Sequence, residues 1–157
     1  MLQPFGNWQQ TWNNFLHLAI AYGLAAILGW ETEREVHSAG IRTFPIVGMA
    51  SCGYLLLIGG SHPADAAAQS RLLQGLITGI GFIGGGAILK EGTTVRGTAT
   101  AASVWNAGVI GAAVAMDHYG IAIALSLLNL FTLYALLPLK RRLQGEAGTS
   151  STSGERV

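Results

Sequence analysis

The stretch from Gly97 to Leu139, GTATAASVWNAGVIGAAVAMDHYGIAIALSLLNLFTLYALLPL, contains a single charged residue, Asp117. That residue separates two charge-free runs, 97–116 and 118–139, of 20 and 22 residues. A helix that crosses the hydrocarbon core of a bilayer needs roughly 20 apolar residues. The stretch therefore predicts two transmembrane helices that are joined by a tight turn at Asp117 and His118.

The rest of the chain repeats this pattern. Residues 1–30, 43–64 and 72–89 also lack Asp, Glu, Lys and Arg, and charged residues make up 11% of the 157 residues. Soluble domains carry about 25% charged residues, which interrupt their apolar segments every few positions. We therefore predict an all-α, polytopic membrane helical bundle with about five transmembrane helices. Five separate charge-free runs disfavour the alternative, a soluble glycine-rich α/β domain.

The predicted helices form one membrane domain over residues 1–142. Its five predicted spans cover residues 15–30, 44–60, 72–89, 98–116 and 119–139. Residues 143–157 are rich in Ser, Thr and Gly and show no apolar periodicity, which is typical of flexible segments. We expect this segment to form a disordered cytoplasmic tail.

The basic residues predict the orientation of the bundle. If the N-terminus lies outside, eight of the nine Lys and Arg residues lie inside, and only Arg71 lies outside. Cytoplasmic loops of membrane proteins carry an excess of Lys and Arg. The sequence therefore predicts a multi-pass protein with its N-terminus outside and its C-terminus in the cytoplasm.

The composition excludes several classes of function. A formal net charge of +1 gives no basic surface for nucleic acid, and Cys52, the single cysteine, excludes a disulfide scaffold and a CxxC metal site. The chain has no HExxH, GxSxG or P-loop motif, and its four histidines are scattered, so we expect no enzymatic activity. Residues 79–84 spell GxGxxG inside an apolar run without a suitably placed acidic residue, which disfavours nucleotide binding.

The third predicted span is rich in glycine. In lipid, helices associate through small residues that allow their backbones to approach closely. We predict that this span is a thin central helix that its neighbours clasp through these glycines. The alternative is a helix that breaks at 84–86 and lines a cavity. The candidate packing residues are Gly75, Gly79, Gly81, Gly84, Gly85 and Gly86.

Two amide side chains, Asn106 and Asn129, lie within the fourth and fifth predicted spans. Amides inside a membrane usually bridge helices by hydrogen bonds. We predict this bridging role for both residues, and a pore-lining role is the alternative.

Charge is concentrated in two predicted inner loops. Ionisable groups at the ends of membrane helices are costly to desolvate and need partners. We weigh a functional role for them against a solvated loop pair that only fixes the topology. Carboxylates suit Mg²⁺, so Glu31 and Glu33 are candidate metal ligands, although no spacing dictates such a site. The candidate functional residues of these loops are Glu31, Glu33, Arg34, Glu35, Arg42, Glu91 and Arg96.

The charged loops and the glycine-rich span together resemble the MgtC/SapB family, over about residues 15–139. The segments that carry the resemblance are GWETERE at 29–35, AGIRT at 39–43, GIGFIGGGAIL at 79–89, VRG at 95–97 and TAASVW at 100–105. The chain departs from the family pattern at Thr32, where an Arg is usual, at Ser38, where a Pro is usual, and at Thr98-Ala99, where Leu-Thr is more typical.

The resemblance implies a bacterial inner-membrane protein linked to magnesium homeostasis, acid stress or virulence. We expect it to act as a membrane-embedded modulator of partner membrane proteins. The alternative is a Mg²⁺ transporter that uses carboxylates at the cytoplasmic ends of its helices. The expected partners are the lipid bilayer, a second copy in a homo-oligomer such as a dimer, and other membrane proteins. Longer members of the family carry a soluble C-terminal regulatory domain, whose function we expect this chain to lack.

Overall fold

The described part of the protein is a bundle of five helices with one short β-hairpin. A computed structural model describes residues 7–32, 42–59, 66–92 and 94–150. The elements are α1 (Trp8–Thr32), α2 (Thr43–Gly59), α3 (Ala66–Gly86), β1 (Leu89–Glu91), β2 (Thr94–Arg96), α4 (Thr98–Ala115) and α5 (Tyr119–Ser150). This architecture confirms the predicted all-α membrane bundle.

The apolar character of the helices varies. In the described part of the chain, α4 is the one helix that is long and apolar enough to cross a membrane. Thr43–Ile58 and Tyr119–Ala135 are apolar helical segments of shorter length. The number of membrane crossings and the orientation of the bundle stay predictions.

Contacts between neighbouring helices define their directions. Leu18 of α1 contacts position 53 of α2, whereas Ala25 contacts position 48, so α1 and α2 are antiparallel. Hydrogen bonds from Ser103 to Asn129 and from Asn106 to Leu125 make α4 and α5 antiparallel in the same way. Ile80 of α3 contacts position 108 of α4, whereas Ala101 of α4 contacts position 84 of α3, so α3 and α4 are also antiparallel. The helices α1 and α5 are parallel, because His17 lies beside the start of α5 and Leu24 bonds Ser126 further along it. These relationships together make α2 and α3 antiparallel, so successive helices alternate in direction.

The central helix is α4, which contacts α1, α2, α3 and α5. Its side chains Val104, Ile110 and Val114 are fully buried, together with Leu28 of α1 and Phe44 of α2. By contrast, α3 packs mainly against α4 and lies at the edge of the bundle. The prediction that α3 is a central helix is therefore wrong. Glycines favour close packing equally in either position, so their number did not reveal which helix is central.

Local backbone features explain where α2 and α4 begin. Pro45 lies in the first turn of α2, where backbone N–H groups have no acceptor within the helix, so the lack of an N–H in proline breaks no hydrogen bond. Gly97 precedes α4 with a φ of 83°, a conformation that side chains disfavour. Because a Cβ at position 97 would clash with the Ala87 carbonyl oxygen, glycine is also required there by space.

Two segments differ from the sequence expectation in detail. The strands Leu89–Glu91 and Thr94–Arg96 form an antiparallel hairpin where the end of the third span and the loop 90–97 were expected. Lys90 pairs with Val95, and Gly92 adopts a φ of 60°. The helix α5 continues to Ser150, into the segment that was predicted as a disordered tail. The division into a membrane domain and a tail stays a prediction, and residues 151–157 lie outside the described chain.

Candidate functional site

One end of the bundle carries the described members of the candidate charged loops. Because the helices alternate, the end of α1, the start of α2, the hairpin and the start of α4 lie at this end, which we call the hairpin end. Glu31 lies in the last turn of α1, and Glu91 lies in β1. Arg42 directly precedes α2 and Arg96 ends β2, and both side chains are exposed. The structure thus brings four of the seven predicted residues to one end.

The remaining three candidates, Glu33, Arg34 and Glu35, lie outside the described residues. Within the described ranges, no three His, Cys, Asp or Glu side chains come close enough to hold a metal ion. Since Glu33 is a member of the predicted pair of ligands, the Mg²⁺ site at Glu31 and Glu33 stays a prediction.

The glycines of α3 divide into one that packs and five that do not. A Cβ at Gly84 would lie 3.1 Å from the Ala101 carbonyl oxygen of α4, so this glycine permits close approach of the two helices. The helix continues through Gly86, so it is not broken at Gly84 or Gly85. A Cβ at any of the other five would have no heavy atom within 4 Å apart from the adjacent backbone of α3 itself; these are Gly75, Gly79, Gly81, Gly85 and Gly86.

The two amides that were predicted to lie inside the membrane connect α4 to α5. The Asn106 side-chain nitrogen donates to the Leu125 carbonyl oxygen at 3.3 Å. The Asn129 nitrogen donates to the Ser103 hydroxyl at 3.1 Å, and this hydroxyl donates to the Asn129 oxygen at 3.3 Å. Both amides therefore bridge helices.

Three glycines that close the core, in α2 and α4, were not predicted from the sequence. A Cβ at Gly108 would clash with the Ile80 side chain, and a Cβ at Gly111 would clash with the Gly48 carbonyl oxygen. A Cβ at Gly48 would lie 2.7 Å from the Ala25 Cβ. Pairs of small residues four apart, such as Ala107 with Gly111 and Ala21 with Ala25, were the available signal for this packing.

A second missed feature is a polar cluster at the opposite end of the bundle, where α4 turns into α5. His17 of α1 contacts the Asp117 carboxylate at 3.0 Å and the Tyr119 hydroxyl at 2.9 Å. The Tyr119 hydroxyl also donates to Asp117 at 3.0 Å. The hydrogen bond with His17, followed by that with Tyr119, lowers the pKa of the Asp117 carboxyl. The four histidines lie on different segments of the sequence, and His17 and Asp117 are 100 positions apart, so this cluster was not predicted.

Comparison with known proteins identifies the family. A profile of the MgtC family matches residues 18–142. The chain belongs to the MgtC family. The resemblance seen in the sequence is thereby confirmed, and the matched range includes every candidate residue of the charged loops and of α3. No solved structure matches the chain.

Individual relatives of this MgtC-family chain are similar over most of its length. It is 32% identical to an uncharacterized protein of Synechocystis sp. over 130 residues, which are 82% of this chain and 54% of the relative. It is 35% identical to Protein MgtC of Brucella abortus over 109 residues, 64% of this chain and 43% of the relative. It is 31% identical to Protein MgtC of Salmonella typhimurium over 115 residues, 73% of this chain and 48% of the relative. The chain thus spans about half the length of these curated relatives.

Proposed function

We propose that this MgtC-family protein is a multi-pass protein of the bacterial inner membrane that modulates partner membrane proteins and is linked to magnesium homeostasis. The contact surface that we assign to this function is the outward face of α3. The observation that carries the proposal is that five of the six α3 glycines have open space where a side chain would be.

The outward face of α3 has a regular composition. Gly75, Gly79, Phe82 and Gly86 follow one another at spacings of four, three and four residues, which place them on one side of a helix. We call these four residues the open face. Phe82, between the glycines, is 86% exposed. The opposite side of α3 carries Ile80, which is buried against α4.

Energetics favour a partner for the open face. A glycine inside a helix is less favourable than alanine by roughly 0.5–1 kcal/mol. Gly108 and Gly111 offset that cost by permitting close packing within the chain, whereas Gly75 and Gly79 gain no such contact. In lipid, a helix with its own small residues can pack closely against such a face and gain van der Waals contact. The expected occupant is therefore a transmembrane helix of a partner protein.

Self-association of the chain would use the same kind of close helix packing. Two copies of the chain that met through α3 would form the proposed homo-oligomer and would cover the same glycines. The identity of the crosslinked species in the experiment below separates this occupant from a different membrane protein.

The proposed orientation follows from the charges at the hairpin end. Arg42, Lys90 and Arg96 lie there, and the excess of basic residues on the cytoplasmic side would place this end inside. Modulation of a partner would then combine a contact within the membrane, through α3, with charged groups at the cytoplasmic surface.

The alternative function is Mg²⁺ transport. The observation that favours it is the placement of Glu31 and Glu91 at the same end of the bundle. Against it, the centre of the bundle is filled by apolar side chains such as Leu28, Phe44 and Ile110, all fully buried. Transport by one chain would require α1, α2 and α4, which carry these side chains, to separate.

Site-specific photocrosslinking in native membranes tests the proposal. A photoreactive side chain replaces Phe82 on the open face, or Phe131, which is 68% exposed on α5, as the matched control. We expect a discrete adduct of one defined membrane protein from position 82 and none from position 131. Equal, diffuse labelling from both positions would contradict the proposal, and an adduct with the mass of two chains would identify a second copy as the occupant.

A further inference from the structure

The polar cluster of His17, Asp117 and Tyr119 joins the first helix to the turn between α4 and α5. The His17 Nδ1 atom lies 2.7 Å from the Asn13 carbonyl oxygen in the preceding turn of α1. The His17 Nε2 atom lies 3.0 Å from Asp117 Oδ1 and 2.9 Å from Tyr119 Oη. The Tyr119 Oη and Asp117 Oδ1 atoms are also 3.0 Å apart, so three polar atoms form a closed triangle.

The hydrogen bonds determine how many protons this triangle needs. A carbonyl oxygen only accepts, so the Nδ1 atom of His17 must carry a proton in order to bond Asn13. In a neutral imidazole the Nε2 atom then carries no proton and can only accept, and it faces the oxygens of Asp117 and Tyr119. The Tyr119 hydroxyl supplies a single proton, so if it donates to Asp117, the short His17–Asp117 contact joins two acceptors.

One additional proton satisfies every contact. With both ring nitrogens of His17 protonated, Nε2–H donates to the Asp117 carboxylate and the Tyr119 oxygen, while the Tyr119 hydroxyl donates to Asp117. The side chain of His17 is 17% exposed and that of Asp117 is 74% exposed, so the carboxylate remains hydrated in its ionised form. The additional proton therefore belongs on the imidazole.

We propose that His17, Asp117 and Tyr119 form a proton-binding clasp that ties α1 to the α4–α5 turn when one proton is bound and releases it when that proton leaves. Under the proposed orientation, this end of the bundle lies on the outer side of the inner membrane, away from the cytoplasm. The clasp lies at the end opposite the hairpin, and it does not depend on the function assigned to α3.

The turn holds the carboxylate in place for this role. Asp117 has a φ of 59°, a left-handed conformation that is uncommon for residues other than Gly, Asn and Asp. Backbone hydrogen bonds from Asp117 to Val114 at 3.1 Å and from His118 to Ala113 at 2.8 Å close the turn. The carboxylate is thus presented by a constrained backbone, whereas Tyr119 starts the next helix.

Other titratable groups near the clasp do not replace its members. His118 follows Asp117 in the same turn, is exposed, and interacts electrostatically with the carboxylate. On α2, Cys52 is a buried free thiol that interacts electrostatically with Tyr119. Residues 60–65, which include His62 and Asp65, lie outside the described chain.

Seven residues further along both helices, the Ser126 hydroxyl donates to the Leu24 carbonyl oxygen at 3.0 Å, so α1 and α5 keep a contact that does not titrate.

The clasp is complete only within a window of pH. At the acid end it is lost as the pH falls through the lowered pKa of the Asp117 carboxyl, because protonation removes the negative charge. At the alkaline end it is lost as the imidazolium of His17 gives up its proton. Solvent screens this ion pair because the Asp117 carboxylate is exposed, so release is a local loosening and leaves the bundle folded.

Nuclear magnetic resonance of the full chain in nanodiscs tests the clasp. We expect ¹⁵N signals of His17 at neutral pH to show both ring nitrogens protonated, and Asp117→Asn to convert the ring to the singly protonated form. Asparagine tolerates the left-handed backbone, so this variant keeps the turn. His118→Ala, the matched control, leaves the His17 signals unchanged. A singly protonated His17 in the unmodified protein at neutral pH would overturn the proposal.

Two further readouts separate a proton site from a purely structural contact. The pKa of the Asp117 carboxyl, followed by its ¹³C signal, should rise toward its ordinary value in His17→Gln and in Tyr119→Phe. Amide exchange in α1 near His17, corrected for the intrinsic effect of pH, should increase up to about fivefold in Asp117→Asn. An Asp117 pKa that neither variant changes would overturn the proposal even if the variants fold poorly.

Discussion

The Ser103 hydroxyl of α4 and the Asn129 amide of α5 exchange two hydrogen bonds, at 3.3 and 3.1 Å. Ser103 is 1% exposed, so its hydroxyl has no access to water. Inside a membrane, where this pair is predicted to lie, such hydrogen bonds contribute about 0.6–2 kcal/mol, so the pair helps to fix α5 against the central helix.

Replacing Asn129 with Leu should destabilise the folded protein by about 1–2 kcal/mol, because the buried Ser103 hydroxyl loses its partner. The double variant Ser103→Ala/Asn129→Leu should recover part of this loss, since no polar group then remains unpaired. The measurement is reversible unfolding in mixed micelles. Thr132→Val serves as the control, because the Thr132 hydroxyl is exposed and bonds the Leu128 carbonyl of its own helix. Equal effects of Asn129→Leu and Thr132→Val would contradict the assigned role.

The packing of α4 predicts an order of severity among glycine substitutions. Gly111→Ala should destabilise the protein by about 1–3 kcal/mol, because the new methyl group meets the Gly48 carbonyl, which is backbone and cannot rotate away. Gly108→Ala should cost less, because it meets the end of the Ile80 side chain. Gly23→Ala, the control, should be neutral or stabilising by up to about 1 kcal/mol, since position 23 faces open space. Thermal unfolding in detergent measures all three, and a reversed order would show that α4 is not packed as described.

A flux assay separates the modulator from the transporter. We expect purified protein in liposomes to move no Mg²⁺ above the rate of empty liposomes, because apolar side chains fill the centre of the bundle. A channel-forming peptide is the positive control for the dye and the gradient. Mg²⁺ flux that Glu31→Gln or Glu33→Gln abolishes would replace the modulator with the transporter.

The sequence predicted some helices closely and others only in outline. The fourth predicted span, 98–116, agrees with α4 at Thr98–Ala115, because Gly97 and Asp117 mark both ends of a charge-free run. The hairpin was missed because Leu89–Glu91 and Thr94–Arg96 are too short to show a strand pattern. A helix boundary can be predicted where local residues mark it, as at α4, whereas the short strands of the hairpin carry no such local signal.

Tertiary relationships were less accessible than helix boundaries. Gly79 and Gly108 are both glycines within apolar runs, yet Gly108 is enclosed and Gly79 is open. The difference depends on which helix lies at the centre, which composition does not specify. The contact of His17 with Asp117 likewise requires α1 and α5 to be neighbours, and neither residue alone indicates this. The candidate charged loops were visible in the sequence because charge is rare in this chain.

The effect of Gly79→Leu on photocrosslinking from position 82 tests the central claim, that the open face of α3 binds a partner, most directly. Leucine fits the open space at position 79, so the chain should fold normally, but it prevents close approach of another helix. Gly23→Leu, a change of the same size at an equally open glycine of α1, is the control. We predict that the adduct falls at least about tenfold in Gly79→Leu and is unchanged in Gly23→Leu, as expected when a close helix contact worth about 1.4 kcal/mol or more is lost. An adduct of undiminished yield in Gly79→Leu would contradict the claim.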